Sequence, residues 1–122
     1  MPQAVDEFHE YLRDRLGGSL RSVVYYDSET ERVSYVREDV TRKLSAEQAK
    51  RLVGFLRERD GAAEAYDRIG VDANLKCTVR VWEDRIGIQF RHGPETGTVV
   101  TMEPTVARDL HSFVSDCESI LE

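Results

Sequence analysis

The stretch LKCTVRVWEDRIGIQFR, residues 75–91, carries the clearest periodic pattern in the chain. Apolar and polar residues alternate on both sides of Glu83 and Asp84, a pattern typical of two antiparallel strands joined by a two-residue turn. With the turn at that position, the apolar side chains of both strands fall on one face of the pair. The apolar face then carries Leu75, Cys77, Val79, Val81, Ile86, Ile88 and Phe90, and the other face carries Lys76, Thr78, Arg80, Trp82, Arg85, Gln89 and Arg91.

Three more strands are predicted around this hairpin. Residues 98–102, TVVTM, follow a segment rich in turn-forming residues at 92–97. Earlier in the chain, residues 20–26 and 32–36 are rich in β-branched and aromatic residues and flank a polar loop of about five residues. These two runs predict a second hairpin.

Two helices are predicted before the central hairpin. The first ends at Gly17 and Gly18, because glycine readily adopts the backbone conformation that closes a helix. The second begins at Ser45, which forms a capping box with Gln48, and is expected to end at Asp60 and Gly61. Residues 62–69 are interpreted as a further short helix. Apolar residues at helical spacing are Val5, Phe8, Leu12 and Leu16 in the first helix and Ala49, Leu52, Val53 and Leu56 in the second.

A last helix is predicted after Pro104, a residue that suits the first turn of a helix. Its apolar residues form the longest amphipathic stripe in the chain, which indicates a helix with one apolar face. The stripe consists of Val106, Leu110, Phe113, Val114, Cys117, Ile120 and Leu121.

The element order predicts one α+β domain over residues 1–122, in the order α-β-β-α-(α)-β-β-β-α. We expect a five-stranded, mostly antiparallel sheet with the helices packed mainly on one face. In so short a chain, part of the other face would stay open and could form a protein contact.

Charge and cysteine content narrow the function classes. The net charge of −6 argues against a nucleic-acid module, which needs clustered Lys and Arg. The 17 basic residues include only three lysines, a bias that, with the acidity, is typical of salt-adapted proteins. Cys77 and Cys117 are expected to be small buried hydrophobes. A cytoplasmic location is predicted, because no positively charged leader and no apolar run of about 18 residues is present.

Catalytic and cofactor motifs are absent from the sequence. His9, His92 and His111 lack a second histidine or a cysteine at metal-ligand spacing. The glycines form no phosphate-binding pattern. No cofactor or metal is expected, and the sequence favours a protein that is not an enzyme.

Two groups of residues remain as candidate sites. Trp82 with Arg80, Arg85 and Arg91 could form a partner surface, stack on nucleic-acid bases, or make ordinary cation-π pairs. Tyr35, Arg37 and Asp39 could line a small-ligand pocket. Arg37, Glu38 and Asp39 could also supply an acid and base pair, but a salt-bridged strand end is the simpler interpretation, because adjacent residues of an extended chain point to opposite sides.

The runs LRSVVYYDSETERVSYVREDV, TVRVWEDRIGIQF and GTVVTMEPTVARDLHSFV together resemble a family of small haloarchaeal proteins of unknown function. The order of helices and strands resembles that of roadblock and longin domains, which often dimerise and regulate small GTPases. The absence of catalytic spacing and the half-covered sheet expected in so short a chain favour a non-catalytic, homodimeric regulatory or interaction module, and the first resemblance implies a haloarchaeon. The alternative is a small-ligand sensor or enzyme with its pocket near Tyr35, Arg37 and Asp39.

Overall fold

The computed structural model describes residues 2–41, 45–68, 77–93 and 95–121. Short 3-10 turns at Gly17–Ser19 and Pro104–Ala107 precede β1 and α4. The α+β class and the order of elements are confirmed. The elements are α1 (Pro2–Leu16), β1 (Leu20–Tyr26), β2 (Glu31–Val36), α2 (Glu38–Thr41), α3 (Ala46–Arg68), β3 (Cys77–Val81), β4 (Ile86–Gly93), β5 (Thr96–Met102) and α4 (Arg108–Leu121).

The five strands form one antiparallel sheet in the order β2-β1-β5-β4-β3. The last strand, β5, lies in the middle and joins the two hairpins. In the second hairpin Val81 pairs with Ile86 and Cys77 with Phe90, the register that a turn at Glu83 and Asp84 predicts. That prediction is confirmed for the described residues, while Leu75 and Lys76 lie outside them.

Helices lie on both faces of the sheet, so the prediction that they pack mainly on one face is wrong. On one face, Leu12 of α1 packs into a core with Val23 and Val100. On the other, Val53 and Leu56 of α3 pack into a second core. The reason is visible in β1 and β5, where neighbouring valines point to opposite faces and each needs a cover. The valines of the second core are Val24 and Val99.

Helix α3 runs without interruption from Ala46 to Arg68. The predicted capping box is confirmed, because Gln48 Oε1 accepts from the Ser45 amide at 2.8 Å and Ser45 Oγ accepts from the Gln48 amide at 3.2 Å. The predicted end at Asp60 and Gly61 is wrong. One glycine in a helix costs only about 1 kcal/mol, and the alanine-rich segment after it favours continuation. The separate helix predicted over 62–69 is the end of α3, and residue 69 lies outside the described residues.

The first hairpin has a shorter loop than predicted, because β2 begins at Glu31. Asp27 Oδ1 accepts hydrogen bonds from the amides of Glu29 and Thr30, at 2.9 and 2.7 Å, and these bonds lower the pKa of Asp27. Arg57 of α3 donates to the Asp27 carbonyl oxygen at 2.6 Å. The loop is therefore fixed to the helix above it. In the described part of the chain, no helix has both the length and the apolarity needed to span a membrane.

Candidate functional site

Arg37 ties together three segments at one end of the sheet. Its guanidinium donates to both carboxylate oxygens of Asp39, at 2.6 and 2.9 Å, and to the Gly18 carbonyl oxygen at 2.8 Å. It also lies 2.6 Å from Glu103, just beyond β5. The hydrogen bonds from Arg37 lower the pKa of Asp39, and the same contacts raise the pKa of Arg37. This cluster has the geometry of a structural latch.

The chain turns helical directly after Arg37, so Glu38 and Asp39 do not lie on extended chain as the sequence suggested. The amides of Val40 and Thr41 donate to the Arg37 carbonyl oxygen at 2.9 and 3.0 Å, which closes the short helix α2. Asp39 can fold back onto Arg37 because of this turn. Arg37 therefore forms a salt bridge with Asp39, which follows it by two residues in the chain.

Tyr35 belongs to the hydrophobic core on the α1 face of the sheet and not to the Arg37 cluster. It packs against the core beneath α1, and its ring contacts that of His9 with centroids 5.5 Å apart. Arg37 and Asp39 bind each other at the end of β2. The structure thus gives Tyr35 a core contact and gives the two charged residues a contact with each other.

Trp82 follows β3 directly, and its ring lies over Gly87 of β4, on the face of the sheet that α3 covers. A Cβ added to Gly87 would come within 2.7 Å of the ring, so the glycine leaves room for it. Arg85 covers the ring, with its guanidinium carbon 4.2 Å from the centroid, and Arg80 lies 5.7 Å from the ring of Phe55 on α3. The pair of Arg85 and Trp82 is the cation-π interaction that the sequence offered as one interpretation, and the contact of Arg80 with Phe55 was not foreseen.

A polar chain crosses four strands beneath α3. The hydroxyl of Tyr26 on β1 accepts from Gln89 Nε2 on β4 at 2.8 Å, and Gln89 Oε1 accepts from Arg80 on β3 at 2.9 Å. Gly97 on β5 makes the first link possible, since a Cβ there would lie 2.6 Å from the Tyr26 hydroxyl. The fourth candidate arginine, Arg91, is half-buried on β4. The alternation of residues 75–91 places Gln89 on the correct face but does not indicate its hydrogen bonds to Tyr26 and Arg80.

A cavity of about 360 Å³, partly open to solvent, lies beside Trp82 on the α3 face. Its volume is within the range of small-molecule sites. Among the described residues, Tyr35, Arg37 and Asp39 do not line it, although their neighbours Arg21 and Val40 do. The remaining lining residues are Ser22, Leu52, Trp82, Asp84, Arg85, Val99 and Thr101.

Arg21 is the residue of this cavity that sequence analysis missed. It is 8% exposed and belongs to β1, where it stands at an irregularity of the β1–β5 pairing. A charged residue inside a run of otherwise apolar and small residues was the available signal. Without knowledge of the irregularity, its direction could not be assigned from the pattern.

The C-terminal helix α4 exposes its apolar stripe. Phe113 is 65% and Ile120 is 84% exposed, and Val106 and Leu110 are also exposed. Cys117 is half-buried, and Cys77 is half-buried on β3, so neither is the buried hydrophobe that was expected. The side chains of Val114 and Leu121 lie outside the described residues.

Residues 6–122 match the family described as Domain of unknown function (DUF7522). The chain belongs to this family. No curated protein and no solved structure matches it. The DUF7522 match spans all five strands, the latch and the cavity, and it assigns no chemistry to them.

The histidines of this DUF7522 chain make structural contacts. His92 Nε2 shares a hydrogen bond of 2.7 Å with Thr98 Oγ1, and burial lowers the pKa of His92. A histidine beside a hydroxyl can activate a nucleophile, but Thr98 is fully buried and out of reach of a substrate. His111 lies 3.1 Å from the carbonyl oxygen of Trp82. Among the described residues, no three His, Cys, Asp or Glu side chains are grouped so that they could hold a metal ion.

Proposed function

We propose that this protein is a non-catalytic interaction module that forms a homodimer through α4. The observation that carries the proposal is the exposed apolar stripe of α4. Within the helix, Leu110, Phe113, Cys117 and Ile120 follow one another at alternating spacings of three and four residues. This is the spacing of a two-helix seam, in which each helix inserts its apolar residues between those of the other.

The charges of α4 favour a second, antiparallel copy as the occupant of the stripe. Arg108 begins the helix and is followed by Asp109, whereas Asp116 and Glu118 both lie in its second half. A parallel pair would bring the acids of both copies together, and an antiparallel pair brings unlike charges and unlike helix ends together. A two-fold pair also buries the same stripe on both copies.

The other candidate surfaces support this choice because their groups already bind one another. Arg85 covers Trp82, and Arg80 binds Gln89. Arg37 and Asp39 are paired, which argues against a sensor or enzyme built on them. A regulatory or adaptor role follows from the resemblance in topology to roadblock and longin domains, and it is an analogy of fold.

Sedimentation equilibrium in molar KCl tests the dimer. We expect the native chain to be a dimer at micromolar concentration and Phe113→Asp to raise the Kd by about 30-fold or more, because a buried aromatic residue in a seam often contributes 2 kcal/mol or more to binding. Phe113 is exposed in one copy, so the variant should fold normally.

Ser115→Asp is the matched control, because Ser115 is exposed on the same helix but lies off the seam. It should dimerise like the native chain. A native chain that is monomeric at micromolar concentration, or a Phe113→Asp variant that dimerises normally, would contradict the proposal. Rapid cross-linking of native Cys117 to itself in a Cys77→Ser background would contradict an antiparallel pair whose stripes overlap over their full length, because that pair is centred on Ser115 and places Cys117 opposite Phe113.

The setting we propose is the salt-rich cytoplasm of a haloarchaeon, on the basis of the net charge of −6. Salt screens repulsion between exposed acids, so the thermal unfolding midpoint should rise as KCl is raised to molar concentration. Thermal unfolding followed by circular dichroism measures this. Neutralising two exposed acids of α1, in the variant Glu10→Gln/Asp14→Asn, should reduce the dependence on salt. A midpoint independent of KCl would count against salt adaptation.

A further inference from the structure

We infer that the cavity beside Trp82 binds a small organic carboxylate with an apolar body. This ligand site is separate from the seam of α4 and does not depend on the proposed dimer. It also differs from the pocket that the sequence suggested around Tyr35, Arg37 and Asp39. Two features of the cavity carry the inference: its charge and its apolar walls.

The charge of the cavity comes from Arg21. The residue is 8% exposed and its side chain 10% exposed. Arg21 Nη1 lies 3.5 Å from Glu103 Oε1, beyond the distance of a strong hydrogen bond. The same carboxylate oxygen lies only 2.6 Å from Arg37, which binds it more closely. Arg21 Nε has no hydrogen-bond partner among the described residues. A buried guanidinium in this state gains from an anion that enters beside it.

The other two charges of the cavity wall neutralise each other. Arg85 Nη1 lies 2.8 Å from Asp84 Oδ1, and its guanidinium covers Trp82. Among the described residues that line the cavity, the charged ones are Arg21, Asp84 and Arg85, and Glu103, the acid paired with Arg21, is not one of them. A negatively charged ligand in the cavity would give the Arg21 guanidinium a closer partner than Glu103. A carboxylate fits because its two oxygens match the forked donors of a guanidinium.

The remaining walls are mostly apolar. Val40 from α2, Leu52 from α3 and Val99 from β5 line the cavity with Trp82. The hydroxyls of Ser22 and Thr101 bind each other at 2.5 Å, so they place few unpaired polar groups against a ligand. An apolar ligand body therefore has a surface to bury while its carboxylate reaches Arg21.

Trp82 makes the test direct, because it is the only tryptophan of the chain and it lines the cavity. The probes are 3-phenylpropionate and its neutral amide, which share one shape and differ in charge. Titration of the native protein with 3-phenylpropionate should change the tryptophan fluorescence to saturation. The amide should bind about tenfold more weakly or worse, because it loses a charge-assisted hydrogen bond.

Variants separate the roles of charge and shape. Arg21→Gln should bind acid and amide alike, whereas Arg51→Gln, which removes a cation from an exposed pair on α3, should keep the native preference. Leu52→Phe narrows the cavity and should weaken both probes. Equal binding of acid and amide to the native protein, or the absence of a saturable response to the acid at millimolar concentration, overturns the inference, and neither result depends on whether Arg21→Gln folds.

Discussion

Replacing Gly97 with alanine is expected to destabilise the protein by about 3 kcal/mol, near the upper end of the range for overpacked cores. The added Cβ would lie 2.6 Å from the Tyr26 hydroxyl and 2.7 Å from the carbonyl oxygen of Phe90. Tyr26 is fully buried and is held by Gln89, and Phe90 contributes backbone from the paired strand. Neither neighbour can move without breaking a hydrogen bond or shifting a strand in the middle of the sheet.

Gly87→Ala is the matched control for this prediction. Its Cβ would meet the Trp82 ring at 2.7 Å, a similar distance, but that ring is partly exposed and belongs to a side chain at a turn. We expect a cost of about 1 kcal/mol, with a change in tryptophan fluorescence as the ring moves. Urea unfolding measures both losses of unfolding free energy, provided that this free energy depends on urea concentration with the same slope in the native protein and the variants. If Gly97→Ala unfolds at the native midpoint, Tyr26 does not cross β5 as described.

The parts of the fold that were predictable from sequence depend on local patterns. The alternation around Glu83 and Asp84 gave the register of the second hairpin, and Ser45 with Gln48 gave the start of α3. In both features the residues that contact each other are close in the chain, so a short stretch of sequence contains both of them. The end of α3 was missed because Gly61 is a weak stop signal when good helix formers follow it.

The parts that were not predictable depend on contacts between distant segments. No local pattern shows that β5 lies between β1 and β4, and that position is what brings Tyr26 over Gly97 to Gln89. The cavity has the same origin, because Arg21 comes from β1 and Trp82 from the β3–β4 turn. The sequence pattern identified Trp82 and its arginines as a candidate surface, but it did not indicate that Arg21 of β1 lines the same cavity.

Arg37→Ala is the second substitution with a large expected effect, a loss of about 2 to 3 kcal/mol of unfolding free energy. The Arg37 side chain is half-buried, and its guanidinium binds Asp39, Glu103 and the Gly18 carbonyl oxygen. Without it, Glu103 keeps only the contact of 3.5 Å with Arg21. The loss should appear as a lower urea midpoint, because the latch joins the start of β1, the end of β2 and the end of β5.

Two variants decide whether the stabilisation by Arg37 comes from the forked geometry of its guanidinium or from its charge alone. Arg37→Lys keeps the positive charge but cannot bind both oxygens of Asp39 and also Gly18, so we expect it to recover less than half of the loss. Arg51→Ala removes an arginine that is 76% exposed and paired with Glu47 on the surface of α3, and it should cost less than about 0.5 kcal/mol. If Arg37→Ala costs no more than Arg51→Ala, the Arg37 cluster contributes little to stability. Arg37 would then be available to a partner at that end of the sheet.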